Sequence, residues 1–330
     1  MVKFLVVRFS SIGDIVLTTP VLRHLKRQVE GSLVHYLTKP AYTPILEASP
    51  YVDRIHVYRG DMRGTIRELS GEGFDYIIDL HHNARSARIK MGLKKMDFSV
   101  NKLNFRKWIL VNFKVDRLPS GHLVDRYLDT IQPFIEIRDQ HGLDYFIPEK
   151  DEFKLDTLPE DFRKGYIALA IGAKHETKKL PVESLIRLCR ELRYPLVIVG
   201  GPEDRDAGDR ISKKAGRTGI LNTCGLYSIN QSASLVRQSD LLITHDTGMM
   251  HIGAAFGKRI LAIWGNTVPA FGMFPYRSDP ESVSFEVMGL SCRPCSKIGY
   301  RKCPRGHFRC MRDQDLEGII RTATNMMATP

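Results

Sequence analysis

The 330-residue sequence lacks several features that would place it in other classes of protein. It contains no run approaching the roughly 20 apolar residues that a membrane-spanning helix requires. Its N-terminal apolar stretch is interrupted by Arg8 and has no small-residue cleavage site, so it does not resemble a signal peptide. Low-complexity segments and short-period repeats are also missing. We therefore expect a cytoplasmic globular protein whose six cysteines are reduced.

Acidic residues are fewer than basic ones: the sequence has 37 Asp and Glu and 49 Lys and Arg, so its net charge is +12. This charge calls for an anionic partner, but it does not distinguish nucleic acid, phospholipid head groups and phosphorylated sugars. The excess is concentrated in residues 85–117, where ten basic residues face two acidic ones, a net of +8. Trp108, Ile109, Leu110 and Phe113 interleave with these charges, which favours an amphipathic element at an anionic membrane. A solvated loop and helix face is the alternative.

Strand patterns alternate with helix patterns along the whole chain. Such alternation predicts parallel sheets that are covered by helices on both faces. The polar, proline-containing residues 139–164 are the expected linker, so we predict two Rossmann-like domains, 1–155 and 156–330. The predicted strands are 3–9, 31–38, 55–58, 76–79, 144–147, 166–171, 195–199, 241–244 and 260–264, and the predicted helices include 15–26, 181–191 and 249–256.

The clearest local pattern is the turn Asp246-Thr247-Gly248 between a predicted strand and a predicted helix. The unpaired N–H groups and the dipole at a helix start favour an anion, and Gly248 would let that anion approach the backbone. A diphosphate suits this position. Asp246 beside it needs a hydroxyl, a metal or an N–H group as its partner, and His251 lies one helical turn further on. An Asp cap with a core histidine is the alternative.

A similar turn follows the first strand. Asp14 lies after Ser10-Ser11-Ile12-Gly13, where a carboxylate points outside the strand ends and can meet an acceptor hydroxyl. The residues alone leave open whether Asp14 is a general base or only caps the following helix.

Five motifs together resemble glycosyltransferase family 9, which contains the ADP-heptose:lipopolysaccharide heptosyltransferases of the GT-B fold. The resemblance spans nearly the whole chain and implies two Rossmann-like domains with parallel sheets facing across a cleft. The five motifs are residues 8–20 (RFSSIGDIVLTTP), 79–83 (DLHHN), 178–181 (KKLP), 200–204 (GGPED) and 246–251 (DTGMMH).

The resemblance implies inverting, metal-independent transfer of a heptose from ADP-heptose to a lipid A-linked lipopolysaccharide core. It makes Asp14 the general base and Lys178 the residue that stabilises the leaving diphosphate. It also implies a peripheral position at the inner face of the cytoplasmic membrane, no catalytic cofactor and no nucleic-acid partner. The implied donor-binding residues are Glu203, Leu226, Tyr227, Asp246, Thr247, Gly248 and His251, with Asp204 as the alternative to Glu203.

The acceptor is assigned to His82, Asn83 and Arg85, which follow a predicted strand and adjoin the basic stretch. A phosphorylated or acidic core oligosaccharide would suit such a surface.

Four cysteines form a separate cluster, with His307 between the last two. Cys292, Cys295, Cys303 and Cys310 follow a C-x2-C-x7-C-x6-C spacing, which in a reducing compartment indicates a structural zinc site. Free thiols or a redox pair are the alternative.

Three other functions remain open from the sequence. A GT-B enzyme that uses another nucleotide sugar in cell-surface polysaccharide synthesis would keep every motif. A zinc-containing nucleic-acid-binding protein would explain the charge and the cysteines, but would leave Asp14 and Lys178 without a role. A non-catalytic nucleotide-sugar sensor is disfavoured by the intact Asp14.

Overall fold

The computed structural model describes residues 1–328, which divide into two compact units. One unit comprises Met1–Leu103 with Gly121–Pro148, and the other comprises Asn104–Ser120 with the chain from Glu149 onward. The segment 104–120, which lies inside the predicted first domain, thus groups with the second unit. None of the described helices combines the length and the apolar character that crossing a membrane requires.

Each unit is built on a parallel sheet, as the alternating pattern predicts. The first sheet has the strand order β3-β2-β1-β4-β5, and the second has the order β11-β10-β9-β6-β7-β8. The strands are β1 Val2–Val7, β2 Ser32–Thr38, β3 Arg54–Val57, β4 Tyr76–Asp79, β5 Met96–Ser99, β6 Ile167–Ala170, β7 Leu196–Val199, β8 Ile220–Asn222, β9 Leu241–His245, β10 Arg259–Trp264 and β11 Val283–Glu286.

Helices connect these strands. The α-helices are α1 Ile12–Val16, α2 Thr19–Gln28, α3 Met62–Ser70, α4 Ala84–Leu93, α5 Asn104–Phe113, α6 Leu123–Asp129, α7 Glu160–Arg163, α8 Val182–Glu191, α9 Arg205–Ala215, α10 Ile229–Gln238, α11 Gly248–Ala255, α12 Arg309–Arg312 and α13 Leu316–Ala328. Short 3-10 helices lie at Pro40–Ile45, Gln132–Phe134, Glu149–Asp151, Leu155–Thr157, Glu176–Lys178, Pro202–Asp204 and Pro269–Phe271.

The central strands are apolar without alternation because helices cover both of their faces. Residues 4–7 of β1 and all of β9 are buried. In the second unit Ile167, Leu196 and Leu241 lie in one core that also includes residues of α8 and α13. The rigid centre of each sheet therefore positions the turns that follow its strands.

Two local predictions differ from the structure. The helix predicted at 15–26 is interrupted between α1 and α2, where the hydroxyls of Thr18 and Thr19 donate to the carbonyls of Ile15 and Val16. The predicted strand at 144–147 is irregular, because Asp144 binds the buried Arg23 instead of joining a sheet. Strands β5, β8 and β11 have only three or four residues each and were not predicted.

Candidate active site

Asp14 lies in the first turn of α1, directly after the turn that leaves β1. Its Oδ2 accepts hydrogen bonds from the Ser11 backbone N at 3.1 Å and from the Ser11 Oγ at 2.7 Å. The side chain is 19% exposed. Asp14 is therefore not the N-cap of a helix from Ile15, because α1 begins at Ile12 with Ser11 as its N-cap and Asp14 closes the capping box from the first turn. The Asp14 side chain also remains accessible at the carboxyl end of β1.

Arg8 fixes the other oxygen of this carboxylate. Its Nη2 lies 2.6 Å from Asp14 Oδ1, while Nη1 donates to Leu80 O at 2.5 Å and to the Tyr127 hydroxyl at 2.9 Å. Nε donates to Ser10 O. Burial lowers the pKa of Arg8, but the nearby Asp14, Tyr127 and Tyr36 together outweigh that effect, so the pKa is raised. Arg8 is thus a fixed and permanently charged partner that holds the Asp14 carboxylate in place.

The motif after β4 is organised by the buried Asp79. Its Oδ1 accepts from the backbone N of His81 at 3.0 Å and of His82 at 2.6 Å. His82 has a positive φ of 43°, and its Nδ1 lies 2.7 Å from the Val100 carbonyl. The carboxylate therefore sets the direction in which the chain leaves the sheet.

The remaining acceptor candidates begin α4. Asn83 is the N-cap residue, and its Oδ1 accepts from the backbone N of Arg85 and of Ser86. Arg85 is exposed in the first turn. The structure thus gives Asn83 a capping role and leaves the side chain of Arg85 in solvent.

In the second unit, Asp246 lies at the carboxyl end of β9 and is 7% exposed. Its Oδ2 accepts from the Lys178 Nζ at 2.5 Å and from the Thr267 hydroxyl at 2.7 Å. Thr247 is the N-cap of α11, makes no side-chain capping hydrogen bond, and is followed by Gly248 as the first helical residue. The predicted turn therefore does precede a helix, and Asp246 is held by a cation and a hydroxyl.

Lys178 ends the 3-10 helix Glu176–Lys178 that follows β6. Besides the Asp246 carboxylate, its Nζ lies 3.3 Å from the Asp246 carbonyl, and its side chain is 16% exposed. The structure thus brings Lys178 and the Asp246 turn together, although 68 residues separate them in sequence.

Two histidines lie close to Asp246 in the sequence, His245 directly before it and His251 five residues after it. His245 is buried and its Nε2 accepts from the Leu180 backbone N at 3.0 Å. Burial, with help from Lys179, lowers the pKa of His245 to about 3, so the ring is neutral. His251 is in the first half of α11 and is 2% exposed.

The turn after β7 separates its two acidic residues. Asp204 is buried, and its carboxylate accepts from Lys179 Nζ at 3.0 Å and from the Gly201 backbone N at 3.1 Å. Glu203 is exposed. This arrangement favours Glu203 over Asp204 as a ligand-binding group, because Asp204 is already engaged within the protein.

The residues assigned to adenine lie next to the same turn. Gly225 donates from its backbone N to the Gly200 carbonyl, and Leu226 donates to the Thr223 carbonyl. The Leu226 side chain is 50% exposed, and the Tyr227 ring packs on Phe153 with centroids 5.1 Å apart. Leu226 and Glu203 therefore follow adjacent strands, β8 and β7, at one edge of the sheet.

The cysteine-rich segment 292–310 is bound to the loop before Lys178 and to the loop after β10 that carries Thr267. Tyr300 exchanges hydrogen bonds with Thr177, the residue before Lys178. Arg293, whose side chain is 6% exposed, donates to the carbonyls of Gly265 and Thr267. The segment also borders a cavity of about 560 Å³ that Glu203 lines. At least one basic residue of the segment, Arg293, thus binds backbone carbonyls of the protein instead of extending into solvent.

The thiols of this segment are free and lie near one another without forming a tetrahedral set. Cys292 Sγ lies 3.7 Å from His307 Nε2, and burial raises the pKa of Cys310 to about 12. Within residues 1–328, no three of the cysteines bring their sulfurs within 4.8 Å of one another. Sulfur ligands of one zinc ion would lie at about that distance or less, given Zn–S bonds of about 2.3 Å. The structure therefore does not supply the predicted zinc geometry.

The residues described do contain one compact group of metal-ligand atoms, formed by His35, His56 and Glu72. His35 Nδ1 and His56 Nε2 are 3.0 Å apart, His56 Nδ1 lies 2.9 Å from Glu68, and Arg54 lies 2.6 Å from Glu72. Hydrogen bonds and an ion pair within the protein therefore explain why these three side chains lie together, without a metal ion. His35 and His56 lie within strands β2 and β3, and Glu72 lies in the turn after α3.

Two residues of the site were missed by sequence reasoning. Arg8 lies in the N-terminal motif of residues 8–20, and a charged residue at the end of a buried strand is the signal that could have identified it. No sequence pattern marks Thr267 as a site residue, because its contact with Asp246 depends on how the loop after β10 folds.

Comparison with known proteins agrees with this architecture. Residues 62–303 match the model of glycosyltransferase family 9 (heptosyltransferase). A lipooligosaccharide heptosyltransferase 2 of Campylobacter jejuni is 25% identical over 221 residues, which span 65% of this chain and 67% of the relative.

Solved structures show the same fold over the whole chain. The glycosyl transferase family 9 protein of Veillonella parvula has a TM-score of 0.79 at 22% identity and covers 99% of this chain and 98% of its own. The Escherichia coli ADP-heptose lps heptosyltransferase II has a TM-score of 0.74 at 18% identity with the same coverage. The two parallel sheets, the motifs at their strand ends and the family match lead to one conclusion: this chain is a glycosyltransferase that belongs to glycosyltransferase family 9, the heptosyltransferases, and has the GT-B fold.

Proposed function

We propose that this enzyme transfers a heptose from ADP-heptose to a lipid A-linked lipopolysaccharide core, with inversion and without a catalytic metal. The observation that carries this proposal is the Lys178–Asp246 ion pair at the start of α11, where a diphosphate would bind. Relatives named as lipopolysaccharide or lipooligosaccharide heptosyltransferases support the choice of sugar and acceptor.

The donor binds at the strand ends of the second unit. Its diphosphate accepts hydrogen bonds from the N–H groups that begin α11 at Gly248, beside Thr247, where the helix dipole favours negative charge. The exposed Glu203 accepts hydrogen bonds from the ribose hydroxyls, and the backbone of Leu226 and Tyr227 borders the adenine. This assignment follows the order of strands β9, β7 and β8.

Lys178 changes partner when the donor arrives. In the structure its ammonium contacts Asp246, and a diphosphate offers it a second anion of higher charge. Asp246 Oδ2 already accepts from Lys178 and Thr267, while Oδ1 has no hydrogen-bond partner in residues 1–328 and is available to a hydroxyl of the transferred sugar. His251 completes this contact to the sugar.

The chemical step is a single displacement at the anomeric carbon. The acceptor hydroxyl gives its proton to Asp14 while its oxygen bonds to that carbon. On the opposite face the carbon–oxygen bond to the diphosphate breaks, and ADP leaves with the electron pair. Lys178 and the start of α11 stabilise the charge that develops on the leaving group, as a metal ion does in other enzymes.

The acceptor binds to the first unit through His82, Asn83 and Arg85. Arg85 is exposed and provides charge for an acidic or phosphorylated core, whereas Asn83 offers only the amide atoms that its capping role does not use. Accordingly Arg85→Ala should raise the KM for the acceptor far more than the KM for the donor.

The enzyme works at the inner face of the cytoplasmic membrane, and α5 is the surface that meets the anionic lipid. Phe105, Trp108 and Phe113 are 73%, 48% and 62% exposed, and Trp108 contacts both phenyl rings. Arg106 and other basic residues adjoin them, as an interfacial helix requires. Sedimentation with anionic vesicles, lost in Trp108→Ser, would support this assignment.

Structural zinc at Cys292, Cys295, Cys303 and Cys310 is a separate proposal that rests on their spacing. Metal analysis of protein purified without chelator should find about one zinc per chain. Zinc well below that ratio would end the proposal, and no step of the reaction depends on it.

The function is tested with purified enzyme, first by thermal shift with ADP, UDP, GDP and CDP. We expect selective stabilisation by ADP, followed by a mass increase of one heptose on a heptose-free lipid A-linked core incubated with ADP-heptose. Selective stabilisation by UDP or GDP would instead indicate a transferase for another nucleotide sugar.

A further inference from the structure

His81 is the residue after β4 that the acceptor assignment does not use, and its position is tightly defined. Its backbone N donates to Asp79 Oδ1 at 3.0 Å, and Arg8 donates to the carbonyl of its neighbour Leu80. Its ring meets the Phe9 ring edge to face, with centroids 5.1 Å apart and an angle of 78°. These contacts tie His81 to the same turn that carries Asp14.

The imidazole of His81 is not explained by packing alone. Its Nδ1 is buried and makes no hydrogen bond within residues 1–328, yet the residue as a whole is only partly buried. A buried polar atom without a partner costs stability, and an apolar ring would fill the same space beside Phe9 at no such cost. Packing alone therefore does not explain a histidine at this position, and its imidazole points to a use outside the folding of the unit.

Charged groups surround the ring, and they include Asp14 and the acceptor candidate Arg85. Burial, together with the cations Arg8, Lys102 and Arg85, lowers the pKa of His81 to about 3, although the negative charge of Asp14 opposes this shift. The ring is therefore uncharged at neutral pH. It lies among Asp14, which accepts the proton in the proposed reaction, and basic side chains that suit an acidic acceptor.

We propose that His81 is an acceptor-binding residue, whose imidazole forms a hydrogen bond to an oxygen of the acceptor sugar beside the hydroxyl that Asp14 deprotonates. This inference rests on the proposed function. Nε2, the other ring nitrogen, is not among the buried atoms without a partner, and the neutral ring can donate or accept one hydrogen bond there. The ring therefore orients a hydroxyl without neutralising Asp14. A lysine or arginine at this position would compete with Arg8 for the carboxylate.

His81→Phe and His81→Gln separate binding from packing. Phe keeps a ring against Phe9 and removes both nitrogens, whereas Gln keeps a polar group. For His81→Phe we expect the acceptor KM to rise about three- to tenfold, as the loss of one neutral hydrogen bond implies. The dissociation constant for ADP should not change, the melting temperature should be equal or higher, and Gln should recover part of the loss.

The exposed His141 of the same unit supplies the matched control, since His141→Phe should leave the acceptor KM unchanged. Binding of the heptose-free core is also titrated without donor, so that His81 is tested independently of turnover. Weaker core binding to His81→Phe alone supports the inference, and equal binding to both variants overturns it. A wild-type enzyme that binds the core but transfers nothing from ADP-heptose would overturn the proposed donor and leave the His81 result intact.

Discussion

The two units each place a carboxylate after a buried strand and pair it with a cation, but the cations differ. Asp14 is held by Arg8, whose Nε, Nη1 and Nη2 all have partners and whose side chain is 8% exposed. Asp246 is held by Lys178, whose single ammonium is on a side chain that is 16% exposed.

The difference indicates which partner can move. A guanidinium with a planar fork bound at every nitrogen stays in place, whereas a flexible lysine is a point charge that can turn to another anion. We therefore expect Arg8 to keep Asp14 oriented through the proposed reaction and Lys178 to be available to the diphosphate. On this hypothesis one pair is a fixed support and the other is exchanged for substrate.

The largest expected effect comes from removing the fixed carboxylate. Asp14→Asn preserves the size of the side chain and removes the base, so kcat should fall by about 10²–10⁴. Asp129→Asn, at an exposed ion pair of the same unit, should leave kcat unchanged. Initial rates at saturating donor and acceptor measure both, and a kcat for Asp14→Asn within threefold of wild type would show that Asp14 is not the base.

Removal of the movable cation should have the next largest effect. Lys178→Ala eliminates the charge that meets the diphosphate, and kcat/KM for ADP-heptose should fall by about 10²–10³. Lys174→Ala, four residues earlier at an exposed position, is the matched control. Steady-state kinetics with varied donor distinguish them, and equal values for the two variants would contradict a role in donor binding.

A smaller decrease in kcat is expected when Arg8, the fixed partner of Asp14, is replaced by the more flexible lysine. Arg8→Lys keeps the charge but removes the guanidinium, so the Leu80 carbonyl and Tyr127 hydroxyl lose partners at a cost of about 1–3 kcal/mol. The urea midpoint should decrease, and kcat should fall about tenfold because Asp14 loses its orientation. Unchanged kcat in a folded variant would argue against Arg8 as a positioning residue.

The smallest expected effect is a dependence of stability on pH. The folded chain holds His245 neutral down to about pH 3, whereas the unfolded chain takes up the proton near the ordinary pKa of 6.5. Stability therefore decreases as the pH falls below about 6.5, by at most about 1.4 kcal/mol per pH unit for this histidine. His245→Gln should have a urea midpoint that changes less between pH 7 and pH 5.5. An identical change in both proteins would exclude His245 as the cause.

The sequence predicted the buried elements better than the partly exposed ones. The strand 76–79 matches β4, and the helix 181–191 begins one residue before α8, because continuous burial leaves a strong pattern. The edge strands β5 and β11 are partly exposed and have no such pattern. These edge strands form because they pair with and pack on a neighbouring strand, and that contribution is not visible in their own residues.

For the site, sequence indicated the residues but not their pairing. The turns carrying Asp14, Lys178 and Asp246 were recognised from motifs, yet the Lys178–Asp246 contact joins loops after two different strands. Thr267 and Arg293 act through the loop after β10, which no local pattern marks. Such contacts depend on strand order, which a periodic pattern does not specify.

The central claim, that Lys178 and the start of α11 bind the donor diphosphate without a metal, is tested most directly by calorimetric titration of ADP in the presence of EDTA. We predict that wild-type enzyme binds ADP under these conditions and that Lys178→Ala binds it at least tenfold more weakly, while Asp14→Asn binds as wild type does. Loss of ADP binding on adding EDTA, or equal affinity in Lys178→Ala, would contradict it.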